Sequence, residues 1–293
     1  GHSGVESRVI ARGKCRFAGA DARGWTLGAK AVSFDRNRGK ENDGVSMTKF
    51  DMGAAWDDAT MLVRAHLPLT GVLAGLFFFL PGMMMALLGP VPLSPPGNIT
   101  PEQLNAMLIA DLKQQFPWLL AITMASTLGS LAILRLWLAR AGTSVGEALL
   151  FTLAMIPTMI AMFVVQSALM AIAFLLLIVP AIYLFGRLAA AYPLLADRNI
   201  KNPFAALMGS WQLTSGNGWR VAFFVFLFLI VLIVISLIVQ QVTGIFGARG
   251  SFGYLIGSVI NSAVSAGFGL LNTAVLASVY RQLAARGAGD IFQ

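Results

Sequence analysis

From Ala148 to Gly186 the chain runs 39 residues without a charged side chain, bounded by Glu147 and Arg187. One helix of that length would extend ~58 Å, about twice the ~30 Å hydrocarbon thickness of a bilayer. Two helices back to back fit, so the run predicts two spans, about 147–165 and 168–191, with a very short turn near Gln166-Ser167. Pro157 and Pro180 fall inside them. Similar apolar stretches predict spans at about 67–88, 116–139, 219–239 and 254–280, six in all. Pro81-Gly82 marks a kink or early end in the first.

Amphipathic stretches lie between the apolar ones. Met52, Ala55, Trp56, Ala59, Leu62 and Val63 follow an i, i+3, i+4, i+7 pattern, with Asp57, Asp58 and Arg64 on other faces. That spacing predicts a helix on the membrane surface over Met52–His66. A second amphipathic helix is expected over Pro101–Gln115, with Thr100 as N-cap and Pro101 at the first helical position. A further one, Asn202–Thr214, opens on the cap pair Asn202-Pro203. The expected fold is an all-α polytopic membrane protein, with six transmembrane helices as three hairpins. Each hairpin follows an interfacial lead-in, at Met52–His66, Gly142–Leu149 and Asn202–Trp219. Trp56 and Trp211 occupy similar places in two lead-ins, with Arg64 and Arg220 eight and nine residues later. This reads as a weak repeat; the competing account is chance, since both residue types favour interfaces.

Composition agrees with a membrane protein. Apolar residues make up 57% and charged residues 12%, against the ~25% charge usual in soluble domains. Residues 1–46 differ from the rest: polar, glycine-rich and without sustained periodicity. They read as a disordered leader or a non-native extension, without the apolar core of a signal peptide. Met47 is the expected natural start, 47–285 the membrane domain and 286–293 a short cytoplasmic tail. The leader holds nine of the 21 basic and five of the 13 acidic residues, and the remaining twelve and eight give the same balance of +4. Such a balance fits loops beside anionic lipid better than a nucleic-acid partner.

With the N-terminus in the cytoplasm, the inner side receives Lys49, Arg64, Arg135, Arg140, Arg187, Arg198, Lys201, Arg220, Arg281 and Arg286. The outer side receives Lys113 and Arg249. Here Arg135 and Arg187 are counted as snorkelling to the cytoplasmic interface. The bias predicts both termini inside.

Candidate chemistry is sparse. Cys15 is the single cysteine, and His2 and His66 are the two histidines, so no disulfide within the chain and no metal cluster is expected. His66 reads as an interfacial residue. Gly142-Thr-Ser144-Val-Gly146 satisfies G-x-S-x-G, but a transmembrane helix precedes it and no histidine follows. Ser144 with Glu147 reads instead as a capping box. Asp57-Asp58 reads as a solvated helix face, and Asn98-Ile-Thr100 as a glycosylation sequon without other secretory signs. On the sixth span Ser258, Ser262, Ser265, Gly269 and Asn272 recur along one face, with Asn261 on an overlapping stripe. This is a helix-packing face or, on the sharper reading, a substrate pathway. Thr123, Thr127 and Ser130 form a smaller version on the second span, and the pairs Gly71/Gly75 and Gly253/Gly257 add to expected close packing. No charged residue is expected in mid-bilayer, which weighs against an ion-coupled carrier.

Two stretches carry a family resemblance. One is Leu175-Leu-Leu-Ile-Val-Pro180-Ala-Ile-Tyr183-Leu-Phe-Gly-Arg187, continuing to Tyr192-Pro193-Leu-Leu-Ala-Asp197. The other is Ala205-Ala-Leu-Met-Gly-Ser210-Trp211-Gln-Leu-Thr214-Ser-Gly216. Together they resemble the membrane domain associated with glycerophosphoryl diester phosphodiesterases and the related YciC-type bacterial inner-membrane proteins. Ala181 stands where that group more usually has glycine. The likeness covers about residues 47–285 and implies a six-span domain. In some relatives a soluble phosphodiesterase domain follows, and its activity is not carried over to this chain. Stand-alone relatives have suggested roles in envelope homeostasis.

These readings lead to a non-catalytic bacterial inner-membrane protein without cofactor or metal. Its partners would be membrane lipids, with a membrane-protein partner or homo-oligomer as further expectations. Lipid headgroups are expected at Trp56, Arg64, Trp211, Trp219 and Arg220. The alternatives are a carrier of a small or lipidic solute beside Asn261, Ser265 and Asn272, and an enzyme acting at the membrane surface.

Overall fold

A computed structural model of the chain describes residues 49–91, 93, 97, 99–139 and 142–289. The expected leader lies outside these residues, as do Met47, Asn98 of the sequon, and Arg140. Residues 47–293 form one compact unit. The described residues are helical and contain no strand. Six helical stretches are long and apolar enough to cross a membrane, so the chain is an all-α polytopic membrane protein.

The first hairpin begins with α1 (Met52–Ala74), a π-helical turn (Gly75–Phe79) and α2 (Leu80–Leu88) in continuous succession. No boundary falls at His66–Leu67, so the expected surface helix and first span are one helix. Asp51 caps α1 by accepting from the Gly53 and Ala54 N–H groups at 2.9 and 3.1 Å. Pro81 does not end the helix, which continues to Leu88. A proline in a helix cannot bond the carbonyl four residues back, and the π turn just before Pro81 takes up that mismatch.

The returning arm, α3 (Pro101–Leu138), likewise joins the expected amphipathic helix and second span. Its Thr100–Gln103 capping box is complete. Ser130 on α3 meets Thr273 of the last helix at 3.1 Å, and a Cβ on Gly129 would stand 2.4 Å from the Phe77 side chain.

The second hairpin departs most from expectation. α4 (Val145–Ala154) and α5 (Ile156–Leu176) replace the single span at 147–165, separated at Met155. Pro157 occupies the first turn of α5, where its missing N–H leaves no bond unmade. The Ser144–Glu147 capping box opens α4. Gln166 and Ser167 lie inside α5; the turn is at Leu177, which is extended at φ −178° and ψ 160°. Pro180 explains its position. Its nitrogen cannot donate to the Leu176 carbonyl, and in the first turn of α6 (Ile178–Leu188) that donor is not needed. α7 (Ala191–Arg198) completes this arm. Every residue of the turn, Phe174 to Pro180, is apolar and exposed.

After α8 (Pro203–Leu213), α9 (Gly218–Gly244) and α10 (Phe252–Gly289) form the third hairpin. α10 runs past the expected span end at Tyr280 into the expected tail. A Cβ on Gly253 or Gly257 would meet the backbone of Phe246 or Thr243, as close packing requires, whereas a Cβ on Gly71 or Gly75 would meet nothing of another element within 4 Å. The first pair is therefore a packing contact and the second is not.

Buried side chains gather toward one end of the bundle. Leu131 and Leu134 of α3 pack with Met155, Met159, Leu188 and Leu195. Val221, Val225 and Phe228 of α9 pack with Val275 and Val279 of α10. Beyond Phe228, α9 presents mostly exposed apolar residues, suited to acyl chains. Gly186 permits a close seam between α6 and α9: a Cβ there would stand 2.2 Å from the Ala222 Cα. From that contact α6 reaches back nine residues to Leu177, ~14 Å of helix, while α9 continues 22 residues, ~33 Å. The α5–α6 turn thus ends short of the far end of α9.

Candidate functional site

The packed end of the bundle holds a cluster built from α6, α8 and the start of α9. Asn202 caps α8, its Oδ1 accepting from the Phe204 and Ala205 N–H groups at 3.0 and 3.4 Å, and Pro203 takes the first helical position. α8 presents Ser210 and Trp211 toward the last turns of α6. The chain then reverses through Gly216, whose φ of 75° lies in the left-handed region that favours glycine. α9 starts at once with Gly218 and Trp219.

Hydroxyls lock this corner. Ser210 Oγ donates to the Arg187 carbonyl at 2.8 Å, satisfying a carbonyl at the end of α6. Thr214 Oγ1 donates to the Ser210 carbonyl at 2.9 Å. Both side chains are fully buried. A Cβ on Gly218 would stand 2.8 Å from Arg187 Cδ and 3.1 Å from the Tyr183 ring, so glycine makes room for the arginine.

Arg187 is the chemical centre. It is 5% exposed, with its guanidinium carbon 4.2 Å from the Trp211 ring centre and 5.8 Å from that of Tyr183. Tyr183 meets Trp211 edge-on at 6.2 Å and lies 4.8 Å from Trp219. The Arg187 Nε is buried without a hydrogen-bond partner, and no carboxylate among the described residues pairs with this side chain. A charge buried without a counter-ion is destabilised by several kcal/mol, while a cation over an aromatic face recovers ~0.5–2 kcal/mol. The rings therefore offset only part of that charge. The expectation that Arg187 snorkels to the interface is replaced by this burial. Arg135, counted the same way, lies over the Phe151 ring and donates to the Ala196 carbonyl at 2.7 Å.

The five expected headgroup residues separate. Trp211 and Trp219 converge on Tyr183, and Arg220 follows directly on α9, partly exposed. Trp56 lies on α1 against Phe228, ring centres 6.1 Å apart. Arg64 is exposed and borders an open depression with Asp57, Thr60, Met61 and Ala65. Asp58 is paired with Arg281 at 2.9 Å.

The α10 face separates too. Ser258 and Ser262 are buried, Ser262 lying 3.5 Å from the Cβ position of Gly82, and Gly269 lies against the Phe78 ring. Ser265 is exposed, while Asn261 and Asn272 are partly exposed. The polar contact across this seam comes from Thr273, next to Asn272. Among the described residues no group of His, Cys, Asp and Glu could hold a metal ion.

Residue reasoning did not single out Tyr183 or Arg187 as a site. Their available signal was the i, i+4 spacing of an aromatic and a cation, with Gly186 between them, ending the uncharged run. Comparison with protein-family models, curated proteins and solved structures finds no match to this chain.

Proposed function

We propose that this chain is a non-catalytic inner-membrane protein of a bacterium that binds lipid headgroups at the cytoplasmic leaflet. In that role it organises lipid or a membrane-protein partner, with envelope homeostasis as the setting that its family resemblance implies. The resemblance to the phosphodiesterase-associated membrane domain and the YciC-type proteins rests on the two motifs quoted above. One observation carries the lipid reading: Tyr183, Trp211 and Trp219 form an aromatic cluster around a buried cation, where amphipathic rings suit the headgroup level. Arg64, Arg135, Arg187, Arg220 and Arg281 toward the same end of the bundle support a cytoplasmic orientation, and the buried Arg187 supports a preference for anionic lipid. Burial of Ser258 and Ser262 supports a packing role for α10 over a solute pathway.

Native mass spectrometry in mixed phosphatidylglycerol and phosphatidylethanolamine tests the reading. Trp211→Ala combined with Arg220→Ala is expected to stay in the membrane and to carry less phosphatidylglycerol. An unchanged lipid profile would contradict headgroup binding.

A further inference from the structure

Beside Arg187, the start of α9 is also short of a partner. Asn217 is its N-cap residue but makes no side-chain capping bond; its Oδ1 instead accepts from the Phe50 N–H at 2.9 Å. The 27-residue α9 thus begins without a side-chain cap, next to a guanidinium that no carboxylate among the described residues pairs with. A helix N-terminus carries about half a positive charge and directs N–H groups outward. Arg187 adds a whole charge and a planar set of donors. The two meet at Gly218, where the absent Cβ lets the arginine stem lie against the helix start. Trp211 and Trp219, which flank this corner, are themselves 38% and 60% exposed, so its rim lies at the surface.

We infer that Arg187 and the N-terminus of α9 form a receptor for a phosphate oxyanion, presented by a lipid headgroup. This rests on the proposed lipid-binding reading and gives it a specific acceptor. The buried cation supplies the charge-assisted bonds, the helix N-terminus adds its partial charge, and the aromatic rings exclude water from the contact. Neutralising Arg187 removes the counter-charge while the exposed rings remain. Arg187→Gln is therefore expected to lower phosphatidylglycerol occupancy about tenfold, as loss of a charge-assisted bond predicts. Arg187→Lys, which keeps charge without the planar fork, is expected to lose part of it.

The deciding experiment uses the unmodified full chain, so it does not depend on a variant folding. Arginine-labelled protein is reconstituted in phosphatidylglycerol, and solid-state NMR measures dipolar contact between guanidinium carbon or nitrogen and phosphorus. A parallel sample in phosphorus-free detergent receives inorganic phosphate. Arg187→Gln and Arg187→Lys preparations, checked for helicity and monodispersity, assign the contact. Contact with lipid phosphorus that disappears in Arg187→Gln supports the receptor with a lipid source. Contact with inorganic phosphate alone supports the oxyanion site and overturns the lipid source. No phosphorus contact at Arg187 in either sample overturns the inference. If Trp211→Ala/Arg220→Ala still reduces bound lipid in that case, surface headgroup binding stands while this receptor falls.

Discussion

Two stretches carry nearly the same surface signature, Trp56 to Arg64 and Trp211 to Arg220, yet the structure gives them different surroundings. In the first, α1 continues unbroken into the membrane, Trp56 rests on Phe228, and the neighbouring Asp58 already has Arg281. In the second, the chain breaks between Leu213 and Gly218, so Trp211 and Trp219 both reach Tyr183 with Arg187 beside them. Tryptophan and arginine at an interface are therefore not enough to define a site. The distinguishing features are a helix restart and a buried charge that no carboxylate among the described residues pairs with.

The sharpest break in this comparison is steric. Leucine at Gly186 would drive a side chain into the Ala222 backbone, whereas leucine at Gly71 on α1 meets open space. Gly186→Leu is expected to destabilise the protein by about 3 kcal/mol, the upper range for overpacking, while Gly71→Leu stays near neutral. Thermal unfolding monitored by circular dichroism in detergent checks both.

The next effect separates the two tryptophans. Trp211→Ala is expected to lower phosphatidylglycerol adducts several-fold by uncovering the Arg187 guanidinium, and Trp56→Ala to leave them unchanged. Equal losses in native mass spectra would mean that both rings act as general interfacial anchors.

Smallest of all is the ion pair beside Trp56. With Arg281 and Asp58 side chains 44% and 23% exposed, Asp58→Asn is expected to change stability by ~0–1 kcal/mol. A larger loss in chemical denaturation would show that the α1 end is a coupled site after all.

Local chemistry made much of the fold legible in the sequence. The caps at Thr100, Ser144 and Asn202 are set by a side-chain oxygen and an N–H two or three residues away, and all three form as expected. The number of membrane-length helices follows from apolar length, which no tertiary contact needs to decide. The turn of the second hairpin falls at Leu177 and not at the expected Gln166-Ser167, which halve the uncharged run by length. A helix carries one glutamine easily; it lacks the Leu176–Pro180 bond, which favours a break at Leu177. The amphipathic Met52–His66 and the apolar stretch after it differ in composition, yet nothing at His66–Leu67 stops a helix, and α1 runs through both.

The site was less legible for a related reason. Arg187 ends an apolar run, and on a straight helix it would be free to extend toward water. Burial instead comes from α8 folding back over it and from α9 starting at Gly218, both long-range events. Trp211, Trp219 and Arg220 are legible from their interfacial chemistry. Tyr183 and Arg187, which complete the cluster, needed the packing.

The most direct test of the account compares Arg187→Gln with Arg64→Gln in one native mass-spectrometric titration of phosphatidylglycerol against phosphatidylethanolamine. The account predicts that Arg187→Gln loses the phosphatidylglycerol preference while Arg64→Gln keeps that of the unmodified protein. Equal loss in both, or retention in both, would contradict the claim that the buried arginine rather than surface charge recognises lipid.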